Sequence, residues 1–491
     1  TPPQLDRKKT MQFAPVARIL AFLSIAMGIA MIPCLVMDGV TGDQSMGVFA
    51  QSAGLTLLVG VIVVLSTQNR RDQELGIREA FLLTTGTWVI LPMIGALPLM
   101  LGAPASTFTD AYFEAVSGMT TTGSTIYEKI ETLPAGILLW RGILQWLGGL
   151  GIVVVAMIFL PVMRVGGMQF FRSEGFDTLG KVMPRAPDIA RSLLDLYIGL
   201  TVLCMIAYML LGMSAFDATV HAFTTISTGG FSTSDASFSA FSGTEEYVAS
   251  VFMLLASMPL IRFVQLTRGQ TAPLFQDVQV RAYLRWTGYA IAAVVLWRWF
   301  HESGSFWHIL RESTFNVITL FSGTGYASED ITSWGAFPFA VIFFTGLIGG
   351  CTASTGCSIK IFRWLVVIEA IKTQVRRIQS PNAVLRPRLG QQVIDQDVID
   401  SVIAFFALFT LTFGLLIVAL DLTGLHIKTA ITAAWTAIAN VGPAFGPEVG
   451  SAGAMNKFPE PAKWLMIFGM LVGRLEILSV YVLFTRKFWA D

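Results

Sequence analysis

"GMTTTGST", residues 118–125, places five hydroxyls and two glycines between two long apolar runs. Related clusters follow as "ISTGGFS" (226–232), "FSGTGYA" (321–327) and "ANVGPAFG" (439–446). Each cluster closes a short apolar stretch, near 107–120, 215–227, 306–321 and 427–439. A bilayer span takes about 20 residues, whereas apolar stretches of about 10–14 read as buried or re-entrant half-helices.

The surrounding composition identifies the solvent. The 491 residues are 54% hydrophobic and 13% charged, about half the roughly 25% charge of a soluble chain. This is the composition of a polytopic helical membrane protein. Hydropathy, broken at charges, predicts ten spans near 17–37, 47–66, 80–101, 136–160, 192–212, 247–266, 284–300, 336–358, 398–420 and 463–484. The basic start "LDRKK" leads into a full-length span without a small-residue cleavage site, so no cleavable signal peptide is expected. Cys34, Cys204, Cys351 and Cys357 fall in or beside apolar segments, which argues against a disulfide framework. A net charge of +1 argues against nucleic acid as a partner. His221, His301, His308 and His426 show no metal-ligand spacing, and a membrane-embedded enzyme lacks its acid–base pair here.

Charge orients the spans. Alternate connections are basic: Arg7, Lys8 and Lys9; Arg70, Arg71 and Arg78; Arg164, Arg172, Lys181, Arg185 and Arg191; Arg262, Arg268, Arg281 and Arg285; Lys372, Arg376, Arg377, Arg386 and Arg388; Arg486 and Lys487. The intervening connections carry acids, among them Asp38 and Asp43, Glu128 and Glu131, Glu245 and Glu246, Glu329 and Asp330, and Glu448 and Glu460. The positive-inside rule then puts both termini in the cytoplasm and all four half-helices on the outer side.

From about residue 80 the order span, half-helix, glycine cluster, span occurs four times. "AVSGMTTTG" (115–123), "AFTTISTGG" (222–230), "VITLFSGTG" (317–325) and "AWTAIANVG" (434–442) align on Gly123, Gly230, Gly325 and Gly442. One such cluster alone reads as polar glue between helices. Four units entering from one face suggest a ring about an axis. Non-helical backbone at membrane depth is tolerated where protein buries it or where it lines a water-filled cavity. Converging loops can aim carbonyl oxygens inward and replace the hydration shell of a cation, and glycine lets successive carbonyls turn to one side. The C-terminal ends of the half-helices, each worth about −0.5 charge, favour a cation at the axis. The expected architecture is therefore all-α: an N-terminal hairpin (1–79) and four pseudo-symmetric pore repeats (80–165, 190–268, 283–372 and 396–491) around a central ion pore.

"TTTGST", "STGGFS", "SGTGYA" and "NVGPAFG" resemble the four pore loops of the Trk/Ktr/HKT potassium transporter superfamily, in particular its bacterial TrkH type. The resemblance covers nearly the whole chain, including the N-terminal hairpin. It implies a potassium filter of Thr121, Thr122 and Gly123; Thr228, Gly229 and Gly230; Gly323, Thr324 and Gly325; and Asn440, Val441 and Gly442. Serine at the first filter glycine accompanies sodium permeation in some members; glycine at all four places favours K⁺.

"GGCTASTGCSIK" (349–360) resembles the family's intramembrane gating loop. Gly349, Gly350, Ser354, Thr355 and Gly356 would break a helix just below the filter. Members often carry further glycines where this chain has Ala353 and Cys357, which implies a stiffer loop. Arg474 lies inside the last expected span, roughly 18 Å along a helix from Arg486. A mid-membrane arginine costs at least about 2.5 kcal/mol and marks function by default. The family assigns the matching arginine to the pore below the filter, as a barrier that also holds the loop through its carbonyls. Glu476, two residues on, points to another face.

Three weaker signals accompany these. The glycines of "QWLGGLGI" (145–152) are most simply packing contacts. Asp110 and Glu114 would gather cations at the outer mouth, or Asp110 would cap its helix. The resemblance implies a homodimer, surrounded by membrane lipid in the bacterial inner membrane, on a cytoplasmic nucleotide-binding regulatory subunit of TrkA type. No nucleotide motif and no resident cofactor is expected in this chain; the resemblance implies K⁺ as the transported ion. The competing reading keeps the fold as a symporter coupled to H⁺ or Na⁺, or as a less selective pathway. A symporter would bury coupling carboxylates at mid-span, where few acids occur; Glu369 and Glu476 lie toward the cytoplasmic half.

Overall fold

The computed structural model describes residues 11–42, 46–68, 76–158, 186–383, 385–390 and 392–490. Arg7, Lys8, Lys9, Asp43, Arg70, Arg71, Arg164, Arg172, Lys181, Arg185 and the far end of the expected 136–160 span lie outside them. The described chain is almost wholly helical. A two-stranded hairpin, Arg388–Leu389 against Gln392–Val393, is its only sheet.

Among the described residues, six segments are long and apolar enough to cross a membrane: Phe13–Thr41, Met46–Ser66, Ile77–Leu101, Ala135–Val153, Asp188–Leu210 and Gln396–Leu422. Two bent pairs raise this to eight, Thr244–Ala256 with Leu260–Thr267 at 93° and Glu460–Arg474 with Ile477–Leu483 at 113°. Ten spans were the expectation, and the differences have physical reasons. The 247–266 span breaks at Pro259, which has no N–H to continue the ladder. The 336–358 span ends at Ile348 because Gly349 takes φ 73°. The 463–484 span ends at Arg474, and Glu476 turns the chain with φ 66°. Val278–His301 is long enough, but Arg281, Arg285 and Arg298 lower its apolarity.

The first hairpin packs through small residues. Gly28 faces Leu57 and Gly60 faces Ile25 so closely that a Cβ at Gly60 would lie 2.6 Å from the Ile25 side chain. Close backbone approach of this kind is how helices associate where lipid supplies no hydrophobic drive. Asp38, at the hairpin's end, accepts from the Gly136 N–H at 2.6 Å and ties it to helix Ala135–Ile158. Most of its residues over Ala135–Val153 are buried, whereas Met46–Ser66, Asp188–Leu210 and Gln396–Leu422 bury fewer than a third of theirs.

Four short helices, Phe108–Met119, Ala215–Ile226, Phe306–Ser322 and Ile427–Ala439, sit among the long ones at the places the sequence predicts. The first two are capped alike: Thr107 accepts from Asp110 N at 3.2 Å and Ser214 from Asp217 N at 3.0 Å, which satisfies otherwise orphaned N–H groups. The cap is thus Thr107 rather than Asp110, whose carboxylate accepts from the Thr107 hydroxyl at 3.0 Å and pairs with Lys463 at 2.5 Å.

Glu114 is not at a mouth. It is fully buried, accepts from Arg141 Nε at 2.8 Å, and also receives Thr125 Oγ1 and Ile126 N. A buried pair of this kind fixes the first short helix to the helix behind it. Arg141→Met leaves the Glu114 carboxylate uncompensated, and a loss of about 3–5 kcal/mol is expected. The measurement is the denaturation midpoint of the purified protein in detergent; adding Glu114→Leu should recover part of the loss.

Candidate functional site

The four short helices end in the same way. Thr122 N–H donates to Ser117 O at 2.9 Å, Gly229 to Thr224 at 2.8 Å, Thr324 to Thr319 at 2.8 Å and Val441 to Thr436 at 3.3 Å. Each bond reaches back five residues over a left-handed residue, the Schellman closure of a helix. The left-handed residues are Thr121 (φ 52°), Thr228 (φ 53°), Gly323 (φ 80°) and Asn440 (φ 52°). Two positions later each loop is left-handed again, at Gly123 (88°), Gly230 (78°), Gly325 (83°) and Gly442 (108°). Glycine was the residue expected to suit this conformation, and its adoption by two threonines and an asparagine is a feature the sequence did not reveal. A β-branched residue at positive φ is an outlier, and such strain collects at functional sites.

The loops meet in cyclic order. A Cβ at Gly123 would lie 2.2 Å from the Gly229 carbonyl oxygen, one at Gly230 1.9 Å from that of Thr324, one at Gly325 2.0 Å from that of Val441, and one at Gly442 2.8 Å from that of Thr122. Loop one thus touches loop two, two touches three, three touches four, and four returns to one. Side chains reinforce the last junction: Ser124 Oγ donates to Gly442 O at 2.7 Å and Asn440 Nδ2 to Thr122 Oγ1 at 2.8 Å. The hydroxyl pairs Thr120–Thr122 and Ser322–Thr324, both 2.7 Å, brace loops one and three equivalently.

Two spaces flank this ring. On one side Gly123, Gly230, Gly325 and Gly442 open into a cavity of about 790 Å³, which also meets Asp235, Glu329 and Asp330. On the other, Asn440, Cys357, Lys360 and Arg474 line a second cavity of about 30 Å³. Gly123, Gly230, Gly325 and Gly442, four of the twelve residues singled out in the sequence, line the first space, and Asn440 lines the second.

Residues 349–360 run without helix between Ala336–Ile348 and Ile361–Gln379. They lie against the second cavity and against the break at Pro259. Cys351 N donates to Ser257 O at 2.9 Å, Thr355 N to Ala256 O at 3.2 Å, and Leu260 N to Ala353 O at 3.1 Å. Thr355 Oγ1 reaches Ile226 O at 3.1 Å, Ser354 Oγ bonds Cys351 O at 2.6 Å, and Gly356 packs against Ser322 O. Gly349 has no room for a side chain, since its Cβ would sit 2.1 Å from Cys357 O, while Gly350 packs on Ser257. The segment expected to be stiffened by Ala353 holds that alanine at φ 58°. Cys357 touches the ring itself through Thr121 Oγ1 at 3.4 Å.

Arg474 is 4% exposed and meets this segment directly. Its Nη1 donates to Cys357 Sγ at 2.7 Å and to Thr355 O at 3.3 Å, and its guanidinium lies 5.8 Å from the Trp88 ring centroid. Glu476 instead pairs with buried Arg363. Sequence reasoning missed Gln145, whose amide bonds Gly229 O at 2.7 Å and Phe231 N at 3.1 Å. It also missed Arg141 and Arg298; a charge inside an otherwise apolar span was the available signal. Gly148 and Gly149 are packing contacts as expected, against Met119 and Ser227.

A helical membrane chain whose interrupted short helices end in a closed ring between two cavities has the build of a cation transport protein. The family described as TrkH, cation transport protein, matches residues 45–284 and 308–490, and the chain belongs to that family. It is 41% identical over 97% of its length to the Trk system potassium uptake protein TrkI of Halomonas elongata, of which it covers 97%. It is 34% identical over 98% of its length to the Trk system potassium uptake protein TrkH of Escherichia coli K12, covering all of that protein. The crystal structure of the potassium transporter TrkH from Vibrio parahaemolyticus superposes with a TM-score of 0.90 at 30% identity, covering 98% of this chain and 100% of the other.

Thr228→Gly relieves a left-handed β-branched residue, a strain of roughly 1–2 kcal/mol. A rise in the thermal midpoint by about 1 kcal/mol equivalent is expected, after the greater entropy glycine loses on folding is subtracted. Gly325→Ala drives a methyl into the Val441 carbonyl and should abolish ion flux while leaving the monodisperse elution profile intact.

Proposed function

We propose that this chain is the potassium-conducting pore of a bacterial uptake system, a gated, channel-like transporter of the inner membrane with both termini in the cytoplasm. The observation that carries this reading is the cyclic closure of four left-handed loops between two cavities. The division into an N-terminal hairpin and four pore repeats follows from it. The relatives, potassium uptake proteins of Trk systems, agree with K⁺ as the cargo.

In this mechanism K⁺ enters the outer cavity and sheds water at the ring. Carbonyls of Thr121, Thr122 and Gly123, Thr228, Gly229 and Gly230, Gly323, Thr324 and Gly325, and Asn440, Val441 and Gly442 replace its hydration shell. The C-terminal ends of the four short helices add partial negative charge. Passage then depends on residues 349–360, with Gly349, Gly350, Ser354, Thr355 and Gly356 as the deformable parts. Arg474 sets an electrostatic barrier beneath the ring and holds the segment shut through Thr355 O and Cys357 Sγ. The chain carries no cofactor of its own; it works as a homodimer with a cytoplasmic nucleotide-binding subunit, which supplies any nucleotide response.

The distribution of buried acids favours conduction over ion-coupled symport. Glu114, Glu246, Glu312 and Asp277 face Arg141, Arg311, Arg298 and Arg262, as the less buried Glu476 faces Arg363, while Asp38 and Glu79 accept from the backbone N–H groups of Gly136 and Gln12. Carboxylates already neutralised by a fixed cation are poor carriers of a coupling proton.

Reversal potentials in planar bilayers test the reading. Under opposed K⁺ and Na⁺ gradients the potential should follow K⁺ and ignore an added pH gradient; a potential that moves with pH establishes coupling instead. Arg474→Ala should raise basal K⁺ current at least tenfold, about 1.4 kcal/mol of barrier, and Arg474→Lys, which keeps the charge but loses the fork, should fall between.

A further inference from the structure

Helix Ala135–Ile158 turns one face toward the second loop. Arg141, Gln145 and Gly149 recur at four-residue spacing and share that face. They follow the loop almost residue by residue. A Cβ at Gly149 would lie 2.9 Å from Ser227 Cα, so the helix and the loop are in backbone contact there. Gln145 Nε2 donates to Gly229 O at 2.7 Å, its Oε1 accepts from Phe231 N at 3.1 Å, and Arg141 Nη1 donates to Ser232 O at 3.2 Å. Gln145 is fully buried, and a Cβ at Gly229 would fall 2.3 Å from its amide carbon. Glycine at the middle of loop two is thereby required by the amide behind it.

The clamp is asymmetric. The carbonyls that meet neighbouring glycines in the ring belong to Thr122, Gly229, Thr324 and Val441. Among the described residues, Gly229 is the member of this set that accepts from a side chain on a flanking helix. We propose that Gln145 is a specificity-determining positioning residue, which sets the discrimination of K⁺ from smaller cations by holding the Gly229 carbonyl. This rests on the potassium reading of the ring.

The physical reason lies in the field the carbonyl offers. An oxygen already sharing a lone pair with an N–H presents a weaker field to an ion, and the second bond, to Phe231 N–H, prevents the loop from drawing inward. Field strength and flexibility of coordinating carbonyls are the quantities on which K⁺ over Na⁺ selectivity turns. A weaker, fixed cage favours the larger ion, whose hydration shell is easier to replace. Glutamine suits the place because it both donates and accepts. Methionine would fill the volume and do neither. A glutamate carboxylate would set a lone pair against the carbonyl, and only its protonated form could donate.

Full-length wild type, Gln145→Met and Gln145→Glu, each in planar bilayers, provide the test through reversal potentials for Rb⁺, K⁺ and Na⁺ pairs. The wild type should prefer K⁺ to Na⁺. Gln145→Met should lower the K⁺/Na⁺ permeability ratio at least tenfold and also lower Rb⁺ relative to K⁺, a shift graded by ion size. Gln145→Glu should lose selectivity at pH 8 and regain much of it as the pH falls and the carboxyl acquires its proton. A residue needed only for packing would reduce current for all three ions together and leave both ratios unchanged. Ratios within twofold of wild type in both variants, at every pH, would overturn the proposal while sparing the potassium reading. A wild type that does not discriminate K⁺ from Na⁺ would remove that reading, and the proposal with it.

Discussion

A peptide group within a bilayer must find a partner inside the protein, and the arrangement of this chain follows from that demand. Three helices break near one another, at Pro259, over residues 349–360 and after Arg474. The backbone groups freed at the first two breaks bind each other: Ser257 O and Ala256 O receive N–H groups of Cys351 and Thr355, and Leu260 N–H answers Ala353 O. The third break contributes Arg474, which reaches the Thr355 carbonyl. Irregular segments that would each be prohibitive alone are jointly satisfied. The same demand explains the short helices, whose last carbonyls are closed by the five-residue bonds of Thr122, Gly229, Thr324 and Val441.

Much of this was legible from residue types. The four short helices lie within one or two residues of the predicted stretches, because apolar runs too brief to span a bilayer have few alternatives. Glycine at 123, 230, 325 and 442 marked the close approaches, and the glycines of 349–360 marked the helix interruption. What stayed hidden has a common cause. Thr121 and Thr228 are left-handed because of where the ring closes, and a threonine does not advertise that conformation. Gln145 and Arg141 sit in an apolar run whose partners are distant in sequence, so their role depends on which helix lies behind which loop. Glu114 looked like a mouth residue until Arg141 was placed against it.

The four loops share a backbone and differ in what surrounds it. Loops one and three use paired hydroxyls, loop two an amide from a neighbouring helix, and loop four the side chain of its own left-handed residue, Asn440. A chain that carries all four quadrants can give each a different support. That freedom also allows residues 349–360 to pack against the ring, with Cys357 beside both Thr121 and Gly323.

The contact that closes the ring joins Ser124 to Gly442 across 318 residues. During synthesis the first three loops reach the bilayer long before the fourth exists. Until residue 442 and the helix behind it emerge from the ribosome, Gly325 and Ser124 face an open quadrant with unmatched polar backbone. Contacts between such remote segments form late, and partly assembled membrane chains are the ones that misassociate. A truncation after the third loop should therefore be recognised by quality-control proteases as an unfinished molecule, whatever its hydropathy suggests.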